Sequence, residues 1–221
     1  MRSEAVLFAE NRPFILLGAG GHAKVLLSVI KTTLPRAQIK ICAPEFENSS
    51  GLLWRDHIIL GSDEALSSFS VTDYYLVNGV GPSVTSNLRE RVFKTNLQRG
   101  CTFPPLVHAS AIVDESVILN EDVQIFANAV VQADSHIGSG SVINTCASVD
   151  HDCTVGDYVH LAPGAILCGG VTVGSRCFIG AGAVIGPNVC VGENSVVGAG
   201  AVIVRSLASN SKVLPSAMRK F

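Results

Sequence analysis

The sequence predicts two architectures in tandem: a small parallel, Rossmann-like α/β domain over residues 1–105 and a prism-shaped parallel β-helix of hexapeptide repeats over residues 106–221. Three observations predict it. From Val107 to Ile203 every sixth residue is valine, leucine or isoleucine, seventeen in succession without a slip. Earlier, the apolar run Phe14-Ile15-Leu16-Leu17 leads into a glycine turn, Gly18-Ala19-Gly20-Gly21-His22-Ala23, and then an apolar stretch with helical spacing. Between the two patterns Pro104-Pro105 punctuates the chain, and the domain boundary belongs there.

In the first domain, Phe14 to Leu17 reads as a buried strand and the segment from the glycine turn to about Thr32 as a helix. Ile39 to Cys42, His57 to Leu60 and Tyr74 to Val77 are further strands. Ser83 to Gln98 reads as a helix with Arg89, Glu90 and Arg91 on its wet side. A glycine turn between strand and helix offers backbone amides at a helix N-terminus, which suits a phosphate. A redox dinucleotide would call for an acidic residue at the end of the second strand, whereas Ile41-Cys42-Ala43-Pro44-Glu45 places Glu45 late and behind a proline. Phosphate or sugar-nucleotide binding, a redox dinucleotide and a merely tight turn all remain open on this loop alone.

In the second domain a six-residue unit is too short for a helix pair, so each unit is one short strand and a corner, and three units close a coil of eighteen residues. Just under six coils are expected, each rising by about 4.8 Å, the spacing of neighbouring strands. The branched residue points inward. A small residue four places later, such as Ala129, Ala147, Ala165 or Ala183, fits the corner. Glycine one place after many branched residues (Gly138, Gly156, Gly174, Gly180, Gly186, Gly192, Gly198) is expected to support the bend.

The net charge of −2 gives no electrostatic reason to expect nucleic acid or an anionic membrane as partner. No apolar stretch reaches the roughly 20 residues that span a bilayer, and Met1 to Arg12 holds Glu4 and Glu10 without a signal-peptide layout, so a cytoplasmic protein is expected. The seven cysteines are odd in number and form no CxxC pair, and five lie inside the repeat, which fits reduced packing residues. Cys153 and Cys177 occupy the small inward position.

The residues that depart from the repeat's apolar routine are Asp150-His151-Asp152 and His160. Residues eighteen apart stack on successive coils, so His151 lies between Ala133 and Gly169, neither of which is expected to crowd its ring. Asp150 and Asp152 flank it, and Asp134 lies beneath Asp152. Carboxylates so placed hold an imidazole in one tautomer and raise its basicity, which equips it as a general base; a solvent-facing corner histidine is the plain alternative. His160 precedes inward Leu161 and therefore faces out, half a coil from His151 and on a different face. A site using both histidines would draw one from a neighbouring subunit, which favours an oligomer; a surface histidine without a role is the alternative. His136 raises a metal site, but spacings of fifteen and nine stack none of the three imidazoles, and no metal is expected.

The glycine loop, Val107-His108-Ala109-Ser110-Ala111, Ile143-Asn144-Thr145, the run Val149 to Cys153 and Gly156-Asp157-Tyr158-Val159-His160 together resemble the left-handed β-helix sugar acetyltransferases of the sialic acid O-acetyltransferase, bacillosamine and perosamine N-acetyltransferase type. The similarity spans nearly the whole chain. It implies a homotrimer with active sites between subunits that carries an acetyl group from acetyl-CoA to a nucleotide-linked amino sugar. It implies that His151 is the base, that Asp152 increases its basicity, and that His160 contacts acetyl-CoA. Ala181 and Ala199 match cofactor-lining positions, and Gly20, Gly21, His22 and Gly81 match the part that holds the sugar nucleotide. Two departures stand out: Ala43-Pro44 where relatives that bind a nucleotide-sugar carry acidic residues, and Val213-Leu214-Pro215-Ser216-Ala217 in place of Gly-Val-Pro-Ala near the end. Arg219 and Lys220 could still meet a CoA phosphate. O-acetylation of a sialic acid, a non-catalytic trimeric scaffold that binds a sugar nucleotide, and an oxidoreductase fused to an oligomerising prism are the competing readings.

Overall fold

The computed structural model of the protein describes residues 12–215, so the readings made on residues 1–11, on Ser216-Ala217 and on Arg219 and Lys220 lie outside the described residues. The chain divides between Leu106 and Val107 into two compact units.

The first unit is a five-stranded sheet built around β1 (Phe14–Leu17), all four residues of which are buried, as befits a parallel strand covered on both faces. It is followed by α1 (Gly21–Thr33), whose buried Ala23, Leu26, Leu27 and Ile30 fall at the i, i+3, i+4, i+7 spacing of one helical stripe. β2 (Ile39–Cys42), β3 (Leu53–Trp54), β4 (His57–Gly61) and β5 (Tyr75–Asn78) complete the sheet in the order β3-β4-β2-β1-β5. β2 and β5 flank β1, all parallel. β3 is antiparallel to β4, an edge hairpin that the sequence did not suggest. Its two-residue turn, Arg55-Asp56, takes left-handed φ values of 49° and 68° with no glycine to announce them.

The last helix of this unit, α2, spans Leu88–Gln98 and does not begin at Ser83. The Ser83 and Ser86 hydroxyls accept the amides of Thr85 and Leu88, an alternative to helical bonding that serines favour. The expectation that Arg89 sits on the wet side is overturned. Its side chain is buried, and Nη1 donates to the carbonyls of Asn78 and Val80, both 3.0 Å away.

The second unit is a left-handed parallel β-helix of two-residue strands stacked into three faces. The first face carries seven strands from Leu106–Val107 to Lys212–Val213, the second six from Ile112–Val113 to Val202–Ile203, and the third five from Ile118–Leu119 to Cys190–Val191. Strands pair at the eighteen-residue separation, as in Val130↔Ser148↔Ile166. The branched positions and the small corner residues form one continuous core, with Ile137, Ile143, Val149, Ala165 and Ala183 fully buried. After Ile203 the coil shortens: Val191 bridges Leu207 and Val197 pairs with Val213, sixteen residues on.

The corner glycines work differently from the expectation. From Leu119 onward the left-handed residue of each corner lies three places after the branched residue: Asp122, Asn128, Asp134, Gly140, Cys146, Asp152 and so on, with φ between 55° and 70°. Asn, Asp and Gly predominate there because they tolerate that conformation best. The glycine one place after the branched residue serves close approach. A Cβ on Gly138 would sit 2.5 Å from the backbone carbon of Gly156 on the next coil.

Candidate active site

His151 stands at the corner between the second-face strand Ser148–Val149 and the third-face strand Thr154–Val155. The corner is pinned by neighbouring coils: Asp152 N–H donates to the Ala133 carbonyl at 3.0 Å, and Gly170 N–H donates to the His151 carbonyl at 2.9 Å. The His151 amide also donates to Asp150 Oδ1 at 2.8 Å. His151 Nδ1 and Asp152 Oδ2 are 2.6 Å apart. A carboxylate accepts only, so the proton of that contact is on Nδ1, and the Nε2 lone pair is left able to accept a proton. Both side chains are open to solvent, 61% and 65% exposed, so burial has little say in the protonation of the ring. The bond from Asp152, with the charge of Asp150 added, pushes the imidazole above its ordinary pKa.

The ring is uncrowded on the Gly169 side only because that residue has no side chain. It lies over Gly169, where a Cβ would come within 2.7 Å of Cε1 and Nε2.

His160 is on the first face, as its alternation with inward Leu161 requires, yet it is only 8% exposed. Its ring meets Phe178 edge-on, with centroids 4.7 Å apart, and Nε2 is 3.2 Å from Asn144 Nδ2. The Asn144 amide is oriented by the Thr145 N–H, which donates to Oδ1 at 2.7 Å; Nδ2 is then the donor to Nε2, and the ring proton is on Nδ1. Asn144 was passed over as a site residue, although it lies two residues along from Val142, the register partner of His160 on the coil below.

Ala181 and Ala199 follow the first-face strands Phe178–Ile179 and Val196–Val197 and are both exposed, stacked on one corner. Gly182 and Gly200 beside them have φ of +64° and +70°, with open space where side chains would stand. His151 and the two alanines thus occupy opposite edges of the second face. One prism brings His151 together with Asp152, and Ala181 with Ala199, but it does not join the two pairs.

In the first unit Gly20, Gly21, His22 and Gly81 do come together. Gly20 caps α1 and Gly21 opens it, with open space at both Cβ positions and no acidic residue in the first turn. A Cβ on Gly81 would lie 3.3 Å from the His22 Cβ. β1 leads to β2 on one side while β5 joins on the other, so these residues meet at the carboxyl ends of β1 and β5, where the strand order reverses. Open α/β sheets bind ligands at such a point. The loop after β5 is clasped from behind: Arg89 holds two of its carbonyls, Asn78 Nδ2 donates to the Arg89 carbonyl at 3.0 Å, and Val80 N–H donates to Asn78 Oδ1 at 3.3 Å. Gly79 has no room for a side chain against the Leu17 carbonyl.

The cysteines play a different part. All seven are free thiols. Burial pushes Cys153 and Cys177 above the usual thiol range and Cys42 up to about 12, and Cys153 Sγ donates to the Cys168 carbonyl. His136 Nε2 is 3.2 Å from Asn120 Oδ1. Among the described residues no group of three or more histidine, cysteine or acidic side chains is placed to hold a metal ion, and no helix is long and apolar enough to cross a membrane.

A parallel β-helix of hexapeptide repeats with a carboxylate-supported histidine at one corner, preceded by a glycine-loop α/β unit, defines a hexapeptide-repeat acyltransferase. The bacterial transferase hexapeptide (six repeats) family matches residues 152–187 and 170–205. The GDP-perosamine N-acetyltransferase of Escherichia coli O157:H7 is 30% identical over 163 residues, which are 70% of this chain and 69% of that protein. A solved histidine-to-asparagine variant of perosamine N-acetyltransferase from Caulobacter crescentus, in complex with CoA and GDP-perosamine, is 32% identical with a TM-score of 0.82, covering 92% of this chain and 93% of that one. The acetyltransferase domain of PglB from Neisseria gonorrhoeae, in complex with acetyl coenzyme A, is 30% identical with a TM-score of 0.84, covering 96% of this chain and 100% of that one. The chain belongs to the left-handed β-helix sugar acetyltransferases of the perosamine N-acetyltransferase type.

Proposed function

We propose that the protein is an acetyltransferase that moves the acetyl group of acetyl-CoA onto the amino group of a nucleotide-linked amino-deoxy sugar, by direct transfer with His151 as general base. The observation that carries this reading is the His151–Asp152 pair, which fixes the proton on Nδ1 and leaves Nε2 to accept one, in a family whose solved member holds CoA and GDP-perosamine. The neutral sugar amine attacks the thioester carbonyl carbon while Nε2 takes a proton from its nitrogen. The tetrahedral intermediate collapses, the carbon–sulfur bond breaks, and the same proton passes from Nε2 to the departing CoA sulfur. The acetamido sugar and CoA thiol leave, and the imidazole returns to its starting state. No acyl-cysteine is required, in keeping with thiols whose burial keeps them protonated.

In this reading His160 contacts acetyl-CoA, and the Ala181 and Ala199 corner is the low wall along which the pantetheine arm lies. Gly20, Gly21, His22 and Gly81 hold the sugar nucleotide, their amides facing its diphosphate. Free thiols and a cytosolic cosubstrate suit a cytoplasmic enzyme.

The assembly we propose is a homotrimer with sites between subunits. The second face supports it: its outward residues are Ile112, Val130, Ser148, Ile166, Val184 and Val202, almost wholly apolar, with Ile112, Ile166 and Val202 exposed. Three prisms that turn this face toward a common axis bring the His151 edge of each beside the Ala181 edge of the next.

The test is acetyl-CoA with GDP- and UDP-linked 4-amino sugars and with sialic acid, following thiol release and product mass. Acetylation of a nucleotide-linked amino sugar is expected. Turnover of sialic acid alone would replace the reading with O-acetylation, and no turnover of any of them would favour the scaffold.

A further inference from the structure

We propose that Gly169 is a positioning residue for the reaction, its missing side chain serving as the seat of the His151 imidazole. The proposal rests on the reading of His151 as the base and adds to it the group that sets where Nε2 stands. Three reasons for a glycine at this position are separable, and two are absent. The backbone does not require one, because Gly169 lies outside the left-handed region, unlike Gly170 with φ of +70°. Nor does the next coil. The atoms nearest to a Cβ built on Gly138, Gly156 or Gly174 include backbone of the following coil, whereas the three nearest to a Cβ on Gly169 are Cε1, Nε2 and Cδ2 of His151. What excludes a side chain at 169 is the imidazole alone.

The ring is held from two directions at once. Nδ1 is tied to Asp152 at 2.6 Å, and the opposite edge, which carries Nε2, rests in the space over Gly169. A methyl group there would stand 2.7 Å from both Cε1 and Nε2, well inside contact distance. An exposed ring escapes such a collision by turning about its side-chain bonds, and turning stretches the bond to Asp152. The base then loses both its location and its fixed tautomer while the coil beneath it is untouched. The charged groups that act on the ring are Asp152 and Asp150, both on its own corner.

The experiment is Gly169→Ala in the full chain, alone and combined with His151→Ala. The single variant is expected to lose kcat by about 10- to 100-fold, the usual consequence of misplacing a reacting group by about 1 Å, while the KM for acetyl-CoA moves by less than about twofold. Its kcat/KM profile should lose activity at lower pH than the wild type does, and the His151 titration seen by NMR should shift the same way, because the Asp152 bond is weakened. In the His151→Ala background the same substitution should leave the melting temperature unchanged or raised. An equal loss of melting temperature in both backgrounds would mean that the methyl group collides with something other than the ring, and the proposal would fall. So would wild-type kcat and pH profile in Gly169→Ala, or a raised acetyl-CoA KM at unchanged kcat, which would make Gly169 a wall of the cofactor path. If His151→Ala alone retains turnover, the underlying assignment of the base is what has failed.

Discussion

At the scale of single residues the proposed chemistry depends on which nitrogen of His151 carries a proton. Asp152 settles this by accepting from Nδ1, and with Asp150 it holds the imidazole above its ordinary pKa. His151→Ala should lower kcat by about 10²- to 10⁴-fold, the span typical of a lost general base, with acetyl-CoA binding by calorimetry nearly unchanged. Asp152→Asn separates the two services of the carboxylate. A base works only when neutral, so activity declines as pH falls through its pKa. Removing the largest cause of the raised value should move that decline to lower pH, while the plateau drops because the tautomer is no longer fixed. A pH–rate profile reads both, and an unmoved limb would remove Asp152 from the role. The pairing of His151 with Asp152 was legible in the sequence because two carboxylates flank an imidazole on one exposed corner of the repeat. Gly169 was not, since a residue eighteen places away gives no sign that a ring leans over it.

At the scale of elements, the hexads were readable because each coil is contiguous in sequence and the period does not change until Ile203. The corners were misread by two places: glycine catches the eye one position after the branched residue, yet the left-handed turn is taken by Asp134, Asp152 or Asn188, which look like ordinary surface residues. The α/β unit was harder. Arg89 stands beside Glu90 and Arg91 in a polar helix, so its burial behind the Asn78–Gly81 loop has no local signature. That clasp holds Gly81 beside His22, and its loss should be felt by the nucleotide sugar alone. Arg89→Met leaves the Asn78 and Val80 carbonyls without their donor and should cost about 1–3 kcal/mol of stability. We expect the KM for the nucleotide sugar to rise at least about fivefold, with kcat and the acetyl-CoA KM within about twofold of wild type. Steady-state kinetics with each substrate varied in turn checks this, and an unchanged sugar KM would make the clasp irrelevant to binding.

At the scale of the whole molecule, the two halves of the proposed site lie on the two edges of the second face, His151 on one and Ala181 with Ala199 on the other. A flat strand face separates them within one prism, whereas an assembly with three-fold symmetry and the apolar second faces turned inward makes each edge adjoin its complement on the next subunit. Shared sites of this kind have a signature that neither sites within one subunit nor a scaffold can imitate. His151→Ala lacks the base but keeps the wall; Ala181→Trp fills the wall but keeps the base, and its exposed position tolerates the larger side chain. Each homotrimer should be nearly inactive. After co-expression of equal amounts, random assembly gives each interface one chance in four of pairing an intact base with an intact wall, so about a quarter of wild-type activity should return. Sites contained within one subunit would give no recovery at any mixing ratio, because every subunit would then carry one defect in its own site. Light scattering on the same sample supplies the remaining control: a mixed population that is trimeric and inactive would place the base and the wall in one chain, and a monomeric one would end the argument for sharing altogether.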